Sequence, residues 1–288
     1  MPLSNTARGI IFMLVASFFF ALMAVFTKLL AGVPIAEIIF FRALMALVLC
    51  MVGIWRLRIS PWGHDKPGLL LRGFAGMVSL AQGFWLLHNI PLAAASTLTH
   101  LSPIFTTLLG IWMVREKVTL VQMGYLIICF VGVVLIQGFD YRISPLHLLV
   151  GISASFTMGL AYSSVKRLGK SEHPFVIMLY FPLVCIPVTG IAMLFDFVMP
   201  SLEQWLWLGL LGLVAQAGQY CMTMSYHAAK ISKVAIVSYS EVIFSIVLGL
   251  VLFGENFNLM TWLGMALVMA GVLMNVGLSK KAVAPTLD

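Results

Sequence analysis

The chain alternates long apolar runs with short polar gaps. Ten runs occupy roughly residues 8–30, 35–55, 68–88, 91–113, 118–137, 146–168, 173–195, 203–226, 231–253 and 258–278. Each approaches the ~20 residues that a helix needs to cross a hydrocarbon core of ~30 Å. The pattern predicts an all-α membrane protein with ten transmembrane helices. The longest polar gap, Arg56–Pro67, has no room for a soluble domain. The first run is longer than the apolar core of a signal peptide, about 7–15 residues, and no small-residue cleavage site follows it. It is expected to be a retained first span, and residues 279–288 read as a short tail.

The runs also repeat. A shift of 139 positions lays Ile243, Phe244, Leu248, Gly249 and Glu255 on Ile104, Phe105, Leu109, Gly110 and Glu116, and His227 on His88. A shift of 138 pairs Ala154-Ser155-Phe156 and Lys166 with Ala16-Ser17-Phe18 and Lys28; a shift of 140 pairs Pro174 and Phe181 with Pro34 and Phe41. A small apolar alphabet produces chance matches, but not matches that keep their order along the whole chain. The expected units are residues 1–138 and 139–288, with five helices each. Because five is odd, the second copy must enter the membrane upside down. Such an inverted repeat is characteristic of secondary transporters, which hold their cargo near the midplane between the repeats. Exchanging the conformations of the two halves turns a cavity open on one side into a cavity open on the other.

Composition narrows the class further. The chain is 61% hydrophobic and 9% charged, with mean hydropathy +1.06, whereas about a quarter of a soluble domain is charged. The net charge of +7 does not point to nucleic acid, because the basic residues sit in the gaps between apolar runs. Fourteen of them, from Arg8 through Arg72 to Lys281, fall on one side of a ten-span topology, against Lys28 and Arg142 on the other. That bias puts both termini in the cytoplasm and suits a bacterial inner membrane. Cys50, Cys129, Cys185 and Cys221 lie inside apolar runs without metal or disulfide spacing, so they read as packing residues.

Several short motifs add a resemblance. Phe40-Phe41-Arg42 lies in the second run, and Pro91-Leu92-Ala93-Ala94-Ala95 leads into Leu101-Ser102-Pro103-Ile104-Phe105. Glu116 follows the fourth run and Glu255 the ninth. On these residues the chain resembles the drug/metabolite transporter superfamily, and within it the EamA-type members. The resemblance covers nearly the whole chain. It implies a central cavity lined mainly by spans 1, 3, 4, 6, 8 and 9, with spans 5 and 10 at the periphery. It is weak for cargo, since members carry amino acids, nucleotide precursors, vitamins and cationic drugs. The Phe-Arg pair and the proline run are similar to those of members that move anionic or zwitterionic metabolites.

The candidate chemistry is the set of polar groups inside apolar runs, where an ionisable side chain costs several kcal/mol unless it faces protein or water. At 1.5 Å per residue, Glu241 lies about 14 Å from the inner end of span 9 and His100 about 13 Å from the outer end of span 4. Ser102, the repeat partner of Glu241, shares that level, and Arg42 lies about 10 Å below the outer end of span 2. Arg42 can anchor a carboxylate or phosphate through its forked guanidinium. Glu241 can hold a cationic group or a coupling proton, and His100 is a switchable donor. The alternative is structural: Arg42 and Glu241 neutralise each other, or Arg42 snorkels to the interface. Further candidates follow helical spacing: Ser238 and Tyr239 beside Glu241, Gln82 and Trp85 in span 3, and Gln216, Gln219 and Tyr220 in span 8. Such stripes also serve interhelical packing. Glu37, His88 and His227 read as interfacial, and Glu116 and Glu255 as helix-end hydrogen-bonding groups.

No motif supports an enzyme. H-E-x-x-H, G-x-S-x-G and Walker-type loops are absent from the sequence, so neither metal or nucleophilic catalysis nor ATP-driven work is indicated. A channel would want filter segments or charge rings. The expectation is a secondary active transporter of a small polar or amphiphilic organic metabolite, working by alternating access, with a proton as the candidate coupling ion. An exporter of cationic drugs or amines, or a lipid or carrier-lipid flippase on the same fold, is the alternative. No cofactor or metal is expected. The partners are a small-molecule substrate, a possible coupling proton and the lipid bilayer, not nucleic acid.

Overall fold

The computed structural model describes residues 4–30, 32–90, 98–137, 144–254 and 258–281. Among them the regular structure is helical throughout: α1 (Asn5–Leu29), α2 (Ile35–Leu57), α3 (Lys66–Asn89), α4 (Ser102–Val114), α5 (Leu120–Gln137), α6 (Pro145–Leu168), α7 (Pro174–Met193), α8 (Leu202–Ala228), α9 (Ile231–Val237), α10 (Ser240–Phe253) and α11 (Leu259–Lys281). Helices α9 and α10 are two pieces of one span, so the fold is a ten-helix membrane fold of two repeats. Six spans meet the length and hydropathy needed to cross a bilayer by themselves, Ile231–Leu252 among them. The starts carry local signals. Ser4 accepts from Ala7 N–H, Asp65 from Gly68 N–H, and Ser144 and Ser201 each close a reciprocal capping box. Each such cap satisfies amide groups that the first helical turn leaves open.

The packing pairs exchange when the halves exchange. In the first half α1 lies against α8 and α10; in the second, α6 lies against α3 and α4. Two further pairs, α2 with α7 and α5 with α11, map onto themselves. The α5–α11 seam is drawn close by glycines, since a Cβ on Gly132 would meet the Gly264 carbonyl oxygen at 2.7 Å. Without a hydrophobic drive between helices in lipid, such small-residue approach is what holds two spans together. The outward surface is apolar, with Trp112, Leu120 and Leu202 almost fully exposed, as a lipid-facing surface requires.

Spans 4 and 9 are both interrupted near their middle. Span 4 breaks at His100–Leu101 before Pro103, and span 9 breaks at Ser238–Tyr239. His100 and Tyr239 are repeat partners. A break frees backbone carbonyls that lipid cannot satisfy, so protein groups must. Ser155 of α6 donates to the Leu98 carbonyl at 2.5 Å, and its repeat partner Ser17 of α1 donates to the Ser238 carbonyl at 3.4 Å. The Tyr239 hydroxyl donates to the His100 carbonyl at 3.0 Å, joining the two breaks to each other.

Candidate functional site

Between the halves lies a cavity of about 220 Å³ whose lining comes from eight spans. Spans 1, 3, 4, 6, 8 and 9 supply most of it, span 2 adds Arg42 and span 7 adds Phe181, while α5 and α11 contribute nothing. Arg42, His100, Ser102, Gln219, Ser238, Tyr239 and Glu241 all reach it. The two helix breaks thus open directly into the space where the ionisable groups meet. The His100 and Tyr239 rings lie nearly parallel, 21° apart with centres separated by 6.4 Å. Ser238 lies in the span 9 break and Glu241 just after it, and the Ser238 carbonyl accepts from the Glu241 amide at 3.1 Å.

Arg42 is not tied up by Glu241. Among the described residues the ion pairs are His64–Glu172, Lys166–Glu116 and Arg167–Asp65, all away from the cavity. Its guanidinium carbon instead lies 5.7 Å from the centre of the Phe181 ring. Arg72 does the same from α3, at the same distance from the same ring. Sequence counting places Arg72 with the loop charges, but the structure puts it two turns into α3, 2% exposed and on the cavity wall. Its Nη2 donates to Gln219 Oε1 at 3.3 Å, and its Nε has no partner. Tyr162 and Tyr226, also absent from the sequence candidates, line the wall with tilted rings 5.8 Å apart. Their positions on α6 and α8 give no polar spacing to notice in an apolar run.

Four candidates lie elsewhere. Gln82 donates to Ser153 at 2.9 Å across the α3–α6 contact. Trp85 faces outward beside His147, and Tyr220 is partly exposed against Phe175. Gln216 sits behind the wall, donating to the Cys50 sulfur at 3.1 Å, in a narrow cleft next to Arg42 and Arg72. Glu37, read as interfacial, is fully buried and accepts from Val198 N–H at 3.3 Å. Glu255 and the 91–95 motif fall outside the described residues, as does the His88 side chain.

The end of the bundle that carries Asn5 is laced together by hydrogen bonds and one ion pair. Lys166 donates to the Ala229 carbonyl at 2.6 Å and approaches Glu116 to 3.9 Å, while Glu116 accepts from Ile231 N–H at 2.8 Å. Spans 4, 6, 8 and 9 are thereby clasped around the short joint between α8 and α9. Burial holds the Glu116 carboxyl above its ordinary value, with Lys166 and the Ile231 amide pulling it back. Ser225 adds a hydrogen bond of 2.7 Å to the Gly9 carbonyl, made possible by the close approach of Gly9 to Ala229.

The model of the EamA-like transporter family matches this chain twice, over residues 7–138 and 146–277. The chain is 29% identical to the pseudopaline exporter CntI of Pseudomonas aeruginosa, over 95% of this chain and 97% of that one. It is 25% identical to the riboflavin transporter of Vibrio cholerae, over 92% and 91%. It is 24% identical to human solute carrier family 35 member G1, over 93% and 78%. A solved crystal structure superposes with a TM-score of 0.85 over 96% of this chain and 99% of that chain at 14% identity, a likeness of fold alone.

Proposed function

This chain belongs to the EamA-like transporter family, and we propose that it is a secondary transporter of a small polar organic metabolite, working by alternating access with Glu241 as the coupling carboxylate. The observation that carries the reading is the meeting of Arg42, His100 and Glu241 in one cavity at two matched helix breaks. Arg42 anchors an anionic group of the cargo through its forked donors. Glu241 exchanges a proton or a cationic group as the halves rock, and the breaks in spans 4 and 9 are where the rocking bends the chain. The likeness to an exporter over nearly the full length supports export across a bacterial inner membrane, with both termini cytoplasmic as the lysine and arginine bias indicates. In this orientation the clasped end is the cytoplasmic one.

The test is transport in proteoliposomes under an imposed pH gradient, with cargo chosen from anionic, zwitterionic and cationic pools by thermal shift at pH 5.5 and 7.5. A ligand at 100 times its Kd adds about 2.7 kcal/mol of stability, which such a screen reads easily. Gradient-driven flux that Glu241→Gln removes, with folding intact, is the expected result. Full flux in Glu241→Gln would take that residue out of coupling. Stabilisation by cations alone would turn the reading to an amine exporter.

A further inference from the structure

The cavity holds two guanidinium groups against one carboxylate, and this excess points to a kind of cargo. Arg42 and Arg72 come from different helices, yet each guanidinium carbon lies 5.7 Å from the centre of the Phe181 ring. The two carbons are therefore within twice that distance of each other, near enough for their charges to repel. Two buried like charges are costly unless anions neutralise them. No ion pair among the described residues reaches either arginine. Among the described residues Arg72, 2% exposed, has a single hydrogen bond, to Gln219, and an Nε without a partner. A neighbouring face of Phe181 explains how a guanidinium is tolerated, but it supplies no negative charge. The site is short of anions in a place that a ligand enters.

Resting on the transporter reading above, we propose that the cargo is a small zwitterion with two anionic groups and one ammonium group, an amino dicarboxylate in type. Arg42 and Arg72 take one anionic group each, and the ammonium lies toward Glu241. The forked donors of a guanidinium match a carboxylate or phosphate in paired hydrogen bonds. A ligand of net charge −1 balances the net +1 that the two arginines and Glu241 leave. The cavity of about 220 Å³ keeps the cargo small, since pockets for drug-sized ligands run to about 300–1,000 Å³. A phosphate monoester in place of one carboxylate has the same chemistry, and the probes separate the two.

The experiment measures binding of L-glutamate, O-phosphoserine, glutarate, L-glutamine and putrescine to the full chain in nanodiscs. Glutamate or phosphoserine should bind about tenfold or more tighter than glutamine, which lacks the second negative charge, and than glutarate, which lacks the ammonium. The tighter of the two names the second anionic group. Arg72→Gln should bring the favoured ligand down to about the affinity that the parent shows for glutamine. Equal binding of glutamate and glutamine, tightest binding by putrescine, or no binding by either glutamate or phosphoserine would overturn the proposal. These comparisons need only the unmutated protein, so they stand whether or not Arg72→Gln folds. Uptake into proteoliposomes separates the two readings: flux of glutamine or putrescine in preference sinks this cargo class alone. Absence of flux for these probes sinks the cargo class alone; absence of gradient-driven flux for every ligand that the thermal-shift pools yield sinks the transporter reading as well.

Discussion

Spans 4 and 9 share a break, a following helix and a seat against the opposite half, yet the groups at the two breaks differ. Where span 4 has His100 and Ser102, span 9 has Tyr239 and Glu241 at the matched positions. The hydrogen bonds that support the breaks are also matched, Ser155 on span 4 and Ser17 on span 9. The arginines follow neither pattern: Arg42 corresponds to Phe181 or Pro182 in the other half and Arg72 to Leu211. On the proposed alternating access, the duplicated parts are those a rocking machine needs twice, once for each side of the membrane. The parts found once are those proposed to touch cargo. In that reading mechanics is symmetric and recognition is not.

Glu241→Gln tests that division most severely. It should abolish pH-gradient-driven flux, while the matched change Ser102→Ala should leave flux within a few-fold of the parent, as read in proteoliposomes. Equal damage from both would show that the breaks act as a symmetric pair in chemistry too. Next comes Arg42→Ala, which removes charge-assisted hydrogen bonds worth about 1.5–3 kcal/mol and should weaken anionic or zwitterionic ligands about ten- to a hundred-fold in thermal-shift titrations. Unchanged affinity would return Arg42 to a packing role. A smaller effect separates the two supporting serines. Ser155→Ala should cost more stability than Ser17→Ala, because its hydrogen bond is shorter, with both near the average of about 0.6 kcal/mol for interhelical bonds in membranes. Nanodisc unfolding midpoints measure the difference.

The smallest predicted effect lies at the clasp. Glu116 keeps its proton more readily in the folded chain than at its ordinary value of 4.5. A raised folded value means that the folded state binds more protons, so this residue's contribution is fully present below the ordinary value and fades as pH rises through the raised one. Stability profiles of Glu116→Gln and the parent should therefore differ most across that window and run parallel above it. Coincident profiles would show that the carboxyl is not held in the clasped end.

Much of this was legible in the chain. The ten spans followed from run length alone, because lipid leaves a helix few ways to exist. Glu241, Arg42 and His100 stood out because a charge or imidazole inside an apolar run has few bland explanations. Arg72 did not, since it lies about 9 Å into α3, close to a gap already full of basic residues, and counting cannot see that its helix begins at Lys66. Gln82, Trp85 and Tyr220 fell outside the cavity for a related reason. Helical spacing says which residues share a face, but not which neighbour that face meets. Phe181 was read only as a repeat marker, and its place within 5.7 Å of two guanidinium carbons depends on the α2–α7 and α3–α7 contacts, which no local pattern records.

The clasp at the Asn5 end has one more consequence. Two of its contacts end on main-chain atoms, the Ala229 carbonyl and the Ile231 amide, so the α8–α9 joint is gripped by its backbone rather than by its side chains. Because Glu116 and Lys166 also approach each other, loss of either main-chain contact is expected to weaken the other, and the joint would then let go as a toggle rather than as a slowly widening crack. On the proposed proton coupling, a toggle at one end would keep the two sides of the membrane from opening together and so protect the gradient.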